Sequence, residues 1–189
     1  VNRRSDNRPN TVLLVAGAVV LVIVAALIYW FAIRDDGSKT ASSTQTPRGD
    51  QTFVVPRVPF TFKYPGNFAL APTPSGFLWI AGVGPYDILD VKRLANSERS
   101  LKAARSETQA ALQVRPGLTI LGDGTETLGA TKAVRFTVNT VVNGQTLRST
   151  LYYFSLHGAS WQVECQSTTK GQAAIEAACA KMADTFSAN

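Results

Sequence analysis

One histidine, His157, stands in a chain of 189 residues, together with only two cysteines, Cys165 and Cys179. A single imidazole leaves one base for any Ser-His-acid arrangement. That histidine precedes Gly158 in what reads as a tight turn, where a polar residue serves the backbone. The G-x-S-x-G elbow, the phosphate-binding P-loop, the H-E-x-x-H helix and the dinucleotide glycine pattern are all missing. Two thiols and one imidazole do not complete a tetrahedral zinc shell. Asp87 and Asp90 fall at offset strand positions rather than as a facing acid and base. The sequence therefore predicts a protein that is not an enzyme, with no cofactor and no metal. It contains no internal repeat.

Charged residues make up 17% of the chain, and one stretch has none at all: residues 11–33, TVLLVAGAVVLVIVAALIYWFAI. As a helix it measures about 34 Å, enough to cross the hydrocarbon core of a bilayer. Arg3, Arg4 and Arg8 precede it, and basic residues stay on the cytoplasmic side. Tyr29, Trp30 and Phe31 mark the outer interface. A cleaved signal peptide has a shorter apolar core ending in a small-x-small site, whereas here Arg34, Asp35 and Asp36 follow directly. The expectation is a single-pass signal anchor with a cytoplasmic N-terminus at 1–10. Gly17, Ala18, Ala25 and Ala26 lie close together on that helix and form a candidate packing face for a neighbouring helix.

Residues 34–51 carry no large apolar side chain and read as a flexible linker. Residues 52–189 hold most of the aromatics and both cysteines, and read as one extracytoplasmic domain. Six Lys and Arg face four Asp and Glu up to residue 51, and thirteen face nine beyond it. A basic domain outside the cytoplasm meets anionic lipid headgroups, acidic envelope polymers or acidic protein faces rather than nucleic acid; the alternative is that a charge of +4 spread over the domain serves only solubility.

Within the domain, alternation of Phe60, Phe62 and Tyr64 predicts a short strand. Residues 71–76, APTPSG, read as a loop, followed by two strands, FLWIAGV and YDILDVKRL, paired as a hairpin. From 97 to 115 the period changes, with Leu101, Ala104, Thr108, Ala111 and Leu112 on one helix face before Pro116-Gly117. Short β segments at 118–121 and 125–128 flank Gly122-Asp123-Gly124. Three strands follow, TKAVRFTVNTVV, QTLRSTLYYFSL and ASWQVECQS, joined by Asn143-Gly144 and His157-Gly158 turns. Thr169 and Gln172 read as a capping box opening a last helix. The fold class is α+β, with two helices packed on an antiparallel sheet.

Trp161, Val163 and Cys165 share one phase of their strand, and Ile175, Ala178, Cys179, Met182 and Phe186 share one stripe of the last helix. Both thiols therefore point into the same core, as a disulfide or as two free buried thiols. Closing so short a loop stabilises by about 3 kcal/mol on the chain-entropy model. Lys92 and Arg93 end a strand, and Arg99, Lys102 and Arg105 step along the next helix. They form a candidate basic patch for a partner, with Glu98 one turn before Lys102 as a neutralising pair; a solvated helix face is the alternative. Phe77, Trp79 and Tyr86 are either partner anchors or core.

The F-x-F-x-Y-P opening with a following Phe (Phe60, Phe62, Tyr64, Pro65, Phe68), the mid-chain helix, the Gly129, Ala130 and Ala133 strand entry, the long meander and the terminal helix ending in Phe186 resemble PsbP-like domains. That family includes an extrinsic photosystem II protein, a Ran-binding nuclear import factor and secreted actinobacterial proteins. The resemblance covers about residues 53–187, and the cysteine pair looks like that of the membrane-anchored or secreted actinobacterial type. It implies an α/β/α domain that docks on larger assemblies without catalysis. The resulting expectation is an accessory subunit of a membrane complex, a respiratory complex or an envelope-lipid export machine. The alternative is a membrane-tethered carrier or sensor of lipid or glycolipid.

Overall fold

Alternating apolar residues need a partner on each covered face of a strand, and the way the strands of this chain pair decides which faces are covered. The computed structural model describes residues 49–72, 78–95 and 97–189. The anchor at 11–33, with Gly17, Ala18, Ala25 and Ala26, lies outside the described residues, as does most of the linker. Among the described residues no helix is long and apolar enough to cross a membrane.

Among the described residues ten strands and two helices follow in order: β1 (Gln51–Phe53), β2 (Phe60–Tyr64), β3 (Ala69–Pro72), β4 (Leu78–Gly82), β5 (Ile88–Ala95), α1 (Leu101–Gln113), β6 (Leu118–Leu128), β7 (Thr131–Val142), β8 (Gln145–Leu156), β9 (Ala159–Thr168), α2 (Gln172–Thr185) and β10 (Ser187–Ala188). Seven strands form one antiparallel sheet in the order β3-β4-β5-β9-β8-β7-β6, and β1-β2-β10 form a small second one. The large sheet is thus two meanders joined edge to edge where β5 meets β9, with Leu89 opposite Cys165, Val91 opposite Val163 and Arg93 opposite Trp161.

The long meander is built as its turns dictate. Asn143 and Gly144, and likewise His157 and Gly158, all adopt positive φ, the two-residue geometry that matches strand twist. Elsewhere the sequence reading needs correction. The two β segments around Gly122 are one strand, because a bulge between Ile120 and Gly122 absorbs the glycine without ending the pairing with β7. The cap of α2 is Gly171, not Thr169, and no side chain caps it. Asp87 instead accepts hydrogen bonds from Thr168 N (2.7 Å) and Thr168 Oγ1 (3.0 Å), and Thr168 Oγ1 in turn accepts from Gly171 N (3.0 Å).

One face of the large sheet carries α2 and the small sheet. There Phe53, Phe60, Phe62, Phe154, Trp161, Met182 and Phe186 bury together, and the Phe60 ring lies edge-on to Phe154 and Trp161 and stacked with Phe186. Cys165 and Cys179 form a disulfide across 6.0 Å between Cα atoms, tying β9 to α2 within this core. The opposite face carries α1, whose Leu101, Ala104 and Leu112 pack on Val134, Phe136, Val138 and Leu151.

Candidate functional site

Helix α1 starts at Ser100, whose hydroxyl accepts from Ala103 N (3.2 Å), and its apolar stripe rests on β6, β7 and β8. It is therefore offset to one half of the sheet. A groove of about 310 Å³, open along one side, runs between it and the β8–β9–β5 half. Ala104, Glu107, Thr108, Ala111 and Leu112 line it from the helix, Arg115 from just beyond its end, Tyr153, Ser155, Ser160 and Gln162 from the sheet, and Leu94 and Ala95 from the end of β5.

The segment ahead of α1 is stitched onto the β8–β9 turn and closes one end. Ser160 Oγ donates to Ser97 O (2.7 Å), Arg99 N donates to Ser155 Oγ (2.8 Å), Ser155 Oγ donates to Arg99 O (3.0 Å), and Gly158 N donates to a Glu98 carboxylate oxygen (2.8 Å). Glu98 thus holds the His157-Gly158 turn. It precedes the helix and is not the helical partner of Lys102 that its spacing suggested.

Beside the groove lies a charged cluster that the sheet register creates. Asp90 on β5 stands opposite Glu164 on β9, and Lys92 opposite Gln162. Lys92 Nζ reaches Asp90 Oδ2 (3.3 Å) and Glu164 Oε2 (3.5 Å), while Gln162 Nε2 donates to Glu164 Oε2 (3.1 Å). Two carboxylates share one ammonium, and Asp90 is 4% exposed with Oδ1 buried and unpartnered. Burial pushes the Asp90 carboxyl up to about 7, with Lys92 pulling it back and Glu164 pushing it further. Burial works to lower the Lys92 ammonium, but Asp90 and Glu164 outweigh it and hold it above the ordinary lysine range. Tyr153, next in the groove, has its phenol raised by burial and then by Glu164. Of the five buried polar side chains among the described residues, four, Asp90, Ser149, Ser160 and Gln162, stand in the strand phase that faces α1. Polarity is concentrated on this face of the sheet.

The five residues of the candidate basic patch do not converge. Lys92 and Arg93 point to opposite faces of β5, and Arg93 lies over the Trp161 ring at 5.7 Å from its centroid. Arg99 pairs with Glu107 and Arg105 with Asp123, while Lys102 is exposed. The side chains of Phe77 and Trp79 lie outside the described residues, and Tyr86 is partly buried, its carbonyl accepting from Gln166 Nε2 (3.2 Å). Sequence reasoning missed the grouping of Asp90, Glu164, Gln162 and Tyr153. Its signal was the shared phase of Asp90 and Lys92 on one strand and of Gln162 and Glu164 on another. The described residues offer no group of three or more side chains suited to a metal ion.

Several solved structures share this architecture. LpqN of Mycobacterium tuberculosis, involved in cell envelope biogenesis, matches with a TM-score of 0.53 at 15% identity, over 74% of this chain and 91% of that one. Cyanobacterial PsbP from Synechocystis matches with 0.54 at 9% identity, over 82% of this chain and 99% of that one. A Bacteroides thetaiotaomicron protein matches with 0.52 at 12% identity over 75% of this chain, which spans about half (49%) of that longer one. No family model and no curated protein matches the sequence. At such identities the likeness is one of fold, and the fold is PsbP-like.

Proposed function

We propose that this chain is a non-catalytic binding protein of a bacterial cell envelope. Residues 11–33 hold it in the cytoplasmic membrane with the N-terminus inside, and the domain from residue 52 works outside as an accessory subunit docked on a larger membrane assembly. A respiratory complex or an envelope-lipid export machine is the host that this reading favours. The observation that carries it is the half-covered sheet face beside α1, where Asp90, Lys92 and Glu164 are held in place rather than excluded. Buried charge of this kind costs stability relative to apolar packing, so its presence points to recognition. The Cys165–Cys179 disulfide suits an oxidising compartment outside the cytoplasm. The envelope role of LpqN, which shares the fold, lends support. Crosslinking in intact cells and purification in mild detergent test the proposal. Recovery with one defined membrane complex supports it, and recovery as a free monomer overturns it.

A second reading, a membrane-tethered carrier or sensor of lipid or glycolipid, draws on the groove of about 310 Å³, which reaches the lower end of small-molecule pocket sizes. Ligand co-purifying with the isolated chain favours that reading over docking alone.

A further inference from the structure

The groove beside α1 carries polar groups along its length, and they differ in how far the fold already engages them. At its closed end the hydroxyls of Ser155 and Ser160 are already engaged by the backbone of Ser97 and Arg99, so they offer little to a ligand. Along its length the helix contributes Ala104, Thr108 and Ala111, together with Glu107, whose carboxylate is paired with Arg99. At the other end, past the helix C-cap at Val114, stand Arg115 and the Tyr153 hydroxyl. Neither the Arg115 guanidinium nor the Tyr153 hydroxyl has a hydrogen-bond or ion-pair partner among the described residues, while Arg99 ahead of α1 and Arg105 on it each have a carboxylate. Both line the groove, and beyond its burial the Tyr153 phenol feels the Glu164 carboxylate first and the opposing Arg115 charge after it.

We infer that this groove is a binding site for a single-chain anionic amphiphile, its apolar chain lying between α1 and the β9–β5 half of the sheet and its acid group at Arg115 and Tyr153. The inference deepens the carrier reading and rests on it. Size and charge both argue for that occupant. A cavity of about 310 Å³ admits one chain or one aromatic group and leaves no room for the paired chains of a phospholipid. An unpaired guanidinium and a phenol donor lining one groove match a carboxylate or a sulfonate, and the guanidinium repels an ammonium head.

The test uses the full chain in phosphatidylcholine nanodiscs with two photoreactive probes. One is a dodecanoate bearing a diazirine in mid-chain, and the other is the trimethylammonium with the same chain. Labelled positions are mapped by mass spectrometry. The acid probe is expected to label residues 101–115 and the facing strands at least about tenfold more than the ammonium probe. Ala111 and Arg115 are exposed, so their replacement leaves the core intact. Ala111→Trp fills the groove and is expected to abolish the label, and Arg115→Glu is expected to erase the preference for the acid. Near-UV circular dichroism confirms that each variant is folded, and should Ala111→Trp fail to fold, Arg115→Glu decides alone. Equal labelling by both probes, or labelling confined to residues 11–33, overturns the inference. So does labelling by the acid that both variants leave unchanged. Loss of the ligand site with recovery of a membrane complex intact would sink this inference and leave the docking proposal standing.

Discussion

Beneath α2 the sheet presents Leu89, Val91, Trp161, Val163 and Cys165 to a layer of phenylalanines, and the disulfide fixes helix to strand. On the other side of the same two strands stand Asp90, Lys92, Gln162 and Glu164. Each residue pair differs by one step along the chain, so the strands carry opposite chemistry on their two faces. The α2 face has aromatic area to bury and burial that is complete. The α1 face has a helix that covers only part of it and a charged cluster where a second helix would sit. The difference teaches a division of labour: the α2 face carries the larger apolar core, while the α1 face joins a smaller one to polar groups held in place at some cost in stability.

The largest effect expected is at the aromatic core. Phe60 is fully buried and touches five other rings. Phe60→Ala removes those contacts and leaves a cavity, and it is expected to destabilise the domain by about 3–5 kcal/mol in chemical denaturation. A loss below about 1 kcal/mol would show that the α2 face is not the stabilising one. Next comes the disulfide. The double variant Cys165→Ala/Cys179→Ala opens a loop with a sequence separation of 14, and a loss of about 3 kcal/mol is expected with the fold retained, read by the denaturation midpoint.

How much of this was legible depends on how local the cause is. The meander was, because Asn143-Gly144 and His157-Gly158 announce their turns and period-2 alternation fills the strands between them. The stripe of α2 was, and with it the pairing of the cysteines. Strands β1, β3 and β10 were not. They have three, four and two residues, too few for a pattern, and they exist because β2 and β4 offer edges to pair with. The start of α2 was misread because Thr168, not Thr169, is held there, by Asp87 from the β4–β5 turn far earlier in the chain. The candidate site follows the same rule. Lys92 was visible as a cation, but its partners Asp90 and Glu164 meet only through the β5–β9 register. The groove exists because α1 is offset, a property of packing that no residue spacing states.

A middle-sized effect should appear with pH, and only on the α1 face. The folded Asp90 carboxyl binds its proton up to about pH 7, above the ordinary aspartate value of about 3.9 in the unfolded chain. The folded state therefore holds more protons than the unfolded state between about pH 4 and 7. Stability falls as pH rises through that window. Lys92 stays charged in both states there and adds no slope. Allowing for its coupling to Asp90, the loss is on the order of 2 kcal/mol. Asp90→Asn keeps the shape and removes the charge, so it should flatten the slope and leave the variant more stable than the natural chain at pH 8. Denaturation at a series of pH values checks this, and a slope that survives the substitution assigns it elsewhere.

The smallest effect sharpens the comparison most, because it separates charge held inside the α1 face from charge at its rim. Arg105 on α1 pairs with Asp123 on β6, with half of the arginine side chain exposed. Both groups keep much of their hydration, so the pair gains little that water did not already provide. Arg105→Ala is expected to change stability by less than about 1 kcal/mol, and that change should vanish in high salt, which screens exposed pairs over a few ångströms. The Asp90 slope, by contrast, should persist in the same salt, since burial rather than distance sets it. If the two respond alike to salt, Asp90 is hydrated and the α1 face is an ordinary wet surface. If they part, the charge beside the groove is enclosed by the fold itself, and an anionic ligand at Arg115 would meet a cluster whose protonation its own arrival can shift.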